Sequence, residues 1–143
     1  MDGILGTEAP LLSDLALIVS VLLWVSASVG AVNAHRRRYS QHCPVMATAA
    51  LVNWLPVLAV MVPRAVGAAT GAVEVPAGLT TALVLVHAIL GVVTQPIMTY
   101  TVTRMYWMEK LPPEEPVWLM KATMTLWSAA VISGSAVYVS WYV

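Results

Sequence analysis

The sequence predicts an all-α integral membrane protein: a four-transmembrane-helix bundle with both termini on the outer side. Three observations predict it. Hydrophobic residues make up 59% of the 143 positions and charged residues only 10%, against roughly 25% charged in a soluble domain. The charged residues are spaced so that they leave four long uncharged stretches. The basic residues collect in alternate loops.

Each span follows from the charge-free stretches. Leu15 to Ala34, Cys43 to Val62, Val75 to Thr103 and Ala122 to Val143 carry no Asp, Glu, Lys or Arg. A bilayer core takes about 20 apolar residues in a helix. Lipid admits only helices and closed barrels, because every backbone group must be paired internally. None of the four stretches alternates with the period of two that a barrel strand requires, so all four are read as helices. Their expected bounds are approximately 14–34, 43–62, 79–103 and 119–142, within one membrane domain over residues 1–143. The N-terminal MDGILGTEAP holds acidic Asp2 and Glu8 and no Lys or Arg. A secretory signal needs a basic start, so the first hydrophobic segment is expected to be retained.

The loops set the expected orientation. Arg36, Arg37 and Arg38 follow the first helix, and Arg104, Lys110 and Lys121 flank the loop after the third. Only Arg64 follows the second. The positive-inside rule therefore puts both basic loops in the cytoplasm. Tyr106, Trp107 and Trp118 fit an inner aromatic belt, and Trp141 and Tyr142 an outer one. The connection Pro63 to Ala77 reads as an outer loop, and LPPEEP as a turn. The expected location is the cytoplasmic membrane of a prokaryote, crossed several times.

Composition also excludes functions. Seven basic and seven acidic residues cancel, so there is no field for a polyanion and no nucleic-acid partner is expected. A single cysteine, Cys43, excludes an intramolecular disulfide and a four-cysteine metal site within the chain. Chemistry must then sit among the helices, at their faces, or in a partner subunit. The absence of phenylalanine has no evident physical cause.

The third helix carries most of the candidate chemistry. His87, Gly91, Thr94, Gln95 and Met98 share one helical face, with Pro96 beside them. An ionisable residue inside a span is a functional candidate, and polar groups there also serve as glue between helices. Asn33 and Asn53 are placed to complete a polar interior. His87 and Gln95, with Met61 near the outer end of the second helix, are candidate cofactor-binding residues. Haem b held by His87 and Met61 is one expectation, since Met/His ligation is an established haem pattern. His42 and His87 cannot share an iron. At 1.5 Å per residue their levels differ by roughly 15–20 Å.

A second candidate site opens the second helix. His42, Cys43 and Met46 lie within about one turn, and thiolate, thioether and imidazole together suit Cu(I). Met98, Met105, Met108, Met120 and Met124 gather towards the same side. The alternative is that these methionines only fill the core. Helix-packing candidates are Ser26, Gly30 and Ala34 on the first helix and Ala130 and Gly134 on the fourth. Small residues at this spacing let helices approach closely, whether within the chain or against a second copy or another membrane subunit.

These residues resemble a family. His42 to Met46 opens the second helix as His-x-x-x-Met, Arg64 follows that helix, and His87 leads to Arg104 at the inner end of the third. WSAAVISGSAVY places Trp127, Gly134 and Tyr138 at a recurrent spacing. Over approximately residues 30–143 the chain resembles the small four-helix membrane proteins of bacteria and archaea represented by the cytochrome oxidase assembly protein CtaM. Pro116 and Val117 stand where that family often carries a His-Arg pair, and Ser133 replaces its usual threonine. The resemblance implies a four-helix bundle linked to assembly of a respiratory haem-copper oxidase or a related redox complex. The expected function is accordingly a non-enzymatic accessory subunit or assembly factor. The alternative is a b-type haem- or quinone-binding electron carrier using His87.

Overall fold

The computed structural model describes residues 3–107 and 115–143. The described residues form helices and short connections with no strand among them. Helix α1 is Leu11–His35. The second span is composite: α2 (Tyr39–Val52), a single turn α3 (Trp54–Pro56), a π-helical stretch Val57–Met61, and α4 (Val62–Thr70). Helices α5 (Leu79–Trp107) and α6 (Glu115–Tyr142) complete the chain. Four helical segments are long and apolar enough to cross a membrane: Leu11–His35, Tyr39–Thr70, Leu79–Met105 and Val117–Tyr142.

The second span outruns the expected 43–62 at both ends, and most of the outer loop expected at Pro63 to Ala77 is helix. Proline explains both the expectation and the outcome. Pro56 has no N–H for the Val52 carbonyl, and Pro63 has none for Ala59. Between them the ladder slips into a π register, in which the Val62 N–H reaches the Val57 carbonyl. That register change lets Pro63 sit in the first turn of α4, where a missing donor costs little. The helix ends where Gly71 takes a left-handed φ of 75°, a conformation glycine adopts without strain.

The spans pack in chain order, α1 on α2, α2 on α5, α5 on α6, and α6 back on α1. The turn Arg36–Arg38 joins α1 to α2, with Arg37 at φ 58°. We call this the basic end. The start of α1 and the end of α6 lie at the opposite end, where Thr7 and Tyr138 share a hydrogen bond. The inner-belt rings of Tyr106 and Trp107, Met108, Lys110 and the expected LPPEEP turn fall outside the described side chains.

Burial is inverted relative to a soluble protein. The most buried positions are small or polar, among them Ala27, Ala49, Ala50, Asn53, Thr94 and Gln95, while Val92, Ile89, Leu55 and Ile132 point outward. Val92 is 75% exposed in the middle of α5. Large apolar side chains facing out over the length of a span suit hydrocarbon or the apolar face of another subunit. Met98 and Trp127 are the two bulky members of the central cluster, packed on the three alanines.

Candidate functional site

Each pair of neighbouring spans is tied by at least one polar bond. Trp24 Nε1 donates to Ser128 Oγ at 2.9 Å, linking α1 to α6. His42 Nδ1 meets the Gly30 carbonyl at 2.8 Å, linking α2 to α1. Asn53 Nδ2 donates to Gln95 Oε1 at 2.8 Å, linking the second span to α5. His87 Nδ1 meets the Ala130 carbonyl at 3.0 Å and Ser133 Oγ at 3.3 Å, linking α5 to α6. Interhelical bonds of this kind hold bundles together in lipid.

His87 is therefore turned into α6. A Cβ built on Gly134 would meet His87 Cε1 at 2.7 Å, so the imidazole occupies the space that the missing side chain leaves. Met61, the expected second haem ligand, sits in the π stretch, which packs on α1. Gln95 is engaged by Asn53, and its own amide reaches the Ala50 carbonyl at 3.5 Å. His87 and Gln95 thus serve different interhelical bonds, and Met61 lies on a stretch that packs against a third helix. The small-residue seams are also used inside the chain. Gly30 lies against Met46 and Val45 of α2, and Ala130 and Gly134 meet His87. Ser26 is exposed, lining an open groove of about 320 Å³ between α1 and α2, and Ala34 is half-buried near the turn.

The basic end holds a different arrangement. A cavity of about 60 Å³ is lined by His42, Cys43 and Met46 of α2, Met98 and Met105 of α5, and Met120 of α6. The three residues singled out on one turn are thus joined by three thioethers from two other helices. His42 and Met98 are buried, Met46 and Met120 half-buried, and Cys43 and Met105 exposed. Thr101 and Thr123 also line the space. Their hydroxyls donate back to their own helices, to Ile97 and Leu119 carbonyls, each at 2.7 Å. The cavity is left to sulfur and imidazole.

Geometry orients that imidazole. A carbonyl only accepts, so His42 Nδ1 carries the hydrogen shared with Gly30, and in the neutral ring Nε2 holds the lone pair. The same glycine also makes room for sulfur: a Cβ there would meet Met46 Sδ at 3.1 Å. Among the described residues no group of three His, Cys, Asp or Glu is placed to hold a metal ion. The donors that the described residues bring to the cavity are thioether, thiol and imidazole, which suit a soft metal.

At the opposite end sits a residue that sequence reasoning passed over. Asp14 has no exposed surface. It accepts from Tyr138 Oη at 2.5 Å and from the Leu5 N–H at 3.0 Å, and Gly3 packs against it. Thr7 donates to the same tyrosine oxygen at 2.6 Å. The signal was an acid at the edge of a span, near the level of a tyrosine close to the end of the last one.

Fold and cavity together define a class: a four-helix bundle of membrane-spanning dimensions with a soft-donor cavity at one end. The chain matches no family model, no curated protein and no solved structure.

Proposed function

We propose that this chain is an accessory protein of a membrane redox complex, a subunit or assembly factor with its working site at the basic end of the bundle. The observation that carries the reading is the convergence of a thiol, an imidazole and four thioethers from three helices around one cavity. Redox complexes are built around metals, and these side chains are the ones that handle soft metals. The resemblance to the CtaM-represented family supports the same reading. So does the structural use of its motif positions. Trp127 is in the core, Gly134 seats His87, and Tyr138 binds Asp14.

The haem or quinone carrier is the second reading, and one free nitrogen, His87 Nε2, is what remains for it. The accessory reading is preferred because the His87 ring is packed edge-on into the space at Gly134, whereas His42 borders a cavity. Two measurements test the choice. Affinity purification of the tagged chain from native membranes is expected to retain subunits of a redox complex, and its deletion is expected to lower that complex's activity. An absorption spectrum of the purified protein is expected to lack a Soret band. A Soret band lost in His87→Ala would reverse the preference.

A further inference from the structure

The geometry points to a monovalent copper site in the cavity at the basic end, with Cu(I) held by His42 Nε2 and by sulfurs drawn from Met46, Met98, Met105, Met120 and Cys43. This names the ligand of the site on which the accessory reading rests, and it stands on four observations.

The first is donor chemistry. Thioether is a donor for Cu(I), thiolate and imidazole serve copper and zinc alike, and four thioethers, one thiol and one imidazole line one space. The second is size. About 60 Å³ accommodates an ion or a few waters, whereas pockets for organic ligands run to roughly 300–1,000 Å³. A quinone or a haem ring would not enter without opening the bundle. The third is orientation. Metal-bound histidine characteristically donates its other ring N–H to a carbonyl or carboxylate, which fixes the tautomer. His42 makes that bond to Gly30, and Nε2 is the nitrogen left to bind a metal. The fourth is that the space persists among methionines. Methionine is flexible and usually fills irregular gaps, yet four of them border a hollow here.

The site is graded in depth. Cys43 and Met105 are exposed at the rim, and Met98 is 2% exposed at the floor. An ion can be taken up at the rim by the Cys43 sulfur, which gives up its proton and takes one back when the ion passes to thioethers, which are neutral and leave the bound ion with its single positive charge. Arg36, Arg37 and Arg38 lie on the turn just before α2, and their charge would repel a divalent ion more strongly than a monovalent one.

The test uses the full chain, purified in detergent under anaerobic conditions. Cu(I) is titrated against bicinchoninate, and the expected result is one Cu(I) withdrawn per chain, with X-ray absorption showing sulfur and one nitrogen around the metal. Met46→Leu combined with Met98→Leu keeps the volume and is expected to weaken binding by at least the 10–100-fold typical of losing even an indirect ligand partner, with helix content unchanged. Zn(II) in excess is expected not to displace the copper. The proposal is overturned if the wild-type chain leaves Cu(I) with bicinchoninate, if the double leucine variant binds as tightly as wild type, or if zinc competes. Co-purification separates the two readings. A chain that takes no copper but still retains redox subunits loses only the copper site. One that binds copper but retains no subunits loses only the accessory role.

Discussion

The two ends of the bundle are built on opposite principles. At the end holding the termini, polar groups are closed on one another. Asp14 accepts from Tyr138 and Leu5, Thr7 caps the same tyrosine, and the Arg64 guanidinium lies 5.5 Å and 5.4 Å from the Trp141 and Tyr142 ring centroids. Residues far apart in sequence meet there through directional bonds. At the basic end the polar groups are turned away, and soft sulfur borders an unfilled space. Directional bonds fix one arrangement, while thioethers demand no partner and can rearrange around an ion. One end closes polar groups on one another, and the other leaves sulfur around an open space.

The two histidines show the same contrast at the scale of one side chain. Each meets a backbone carbonyl of a neighbouring helix through Nδ1, and each lies near a glycine. His87 fills the glycine's space with its own ring. At Gly30 the space goes to Met46 Sδ, and His42 lines the cavity with Nε2 outside its bond to Gly30. Two residues that look alike in sequence are a latch and a candidate ligand.

The largest effect belongs to orientation, because it decides which compartment each end meets. Among the described residues, five of the six basic ones, Arg36, Arg37, Arg38, Arg104 and Lys121, lie at or beside the turns of one end, so that end is expected in the cytoplasm, where a reducing environment keeps copper monovalent. A C-terminal reporter active only in the cytoplasm is expected to be silent, and one active only outside to report. Cytoplasmic activity would exchange the compartments of the two ends and remove the chemical reason for a Cu(I) site at the basic one.

The next effect tests whether His87 is a latch. Gly134→Ala would place a Cβ 2.7 Å from the imidazole, and overpacking of this kind typically costs about 1–3 kcal/mol. His87→Ala removes one interhelical bond, worth roughly 0.6–2 kcal/mol. In the double variant the new methyl enters the space the ring has left, so the combined loss is expected to be smaller than the sum of the two. Unfolding in detergent–lipid mixtures measures all three. Strict additivity would show that ring and glycine do not share that space. Cu(I) uptake is expected to be unchanged throughout.

Much of the fold was legible because lipid enforces simple rules. Four charge-free stretches announced four helices, and the composite second span departed only where Pro56 and Pro63 shifted its register. Arg64 misled as a boundary. It reads as the end of a span, yet it lies inside α4 with its charge against two aromatic faces. The cavity was half legible. His42, Cys43 and Met46 declare themselves on one turn, but which methionines join them depends on the rotation of α5 and α6, and every face of those helices is apolar. The His87–Gly134 contact had a usable signal in depth alone: each lies about eight residues from the end of its helix at the terminus side. Asp14 was overlooked because an acid at a span edge ordinarily faces water, and its partner Tyr138 lies 124 positions away.

The smallest effect concerns Arg64, and it tests whether the closed end is held by more than its hydrogen bonds. A guanidinium over an aromatic face is worth about 0.5–1 kcal/mol where water has access, and Arg64 is half-buried beside two such rings. Arg64→Gln removes the charge and leaves a shorter polar side chain, so a loss near that figure is expected in detergent unfolding. Arg64→Lys is expected to recover only part of it, because an ammonium is attracted to a ring face but cannot stack flat on one. Insertion should not suffer, since this is the one basic residue opposing the majority. If lysine restores full stability, the contact is charge alone. If glutamine costs nothing, the closed end rests on Asp14, Tyr138 and Thr7. Either way copper affinity at the far end should not move, because sites this distant and without shared partners behave additively. A change there would show that the two ends are coupled through α6, the helix that carries both Tyr138 and Met120.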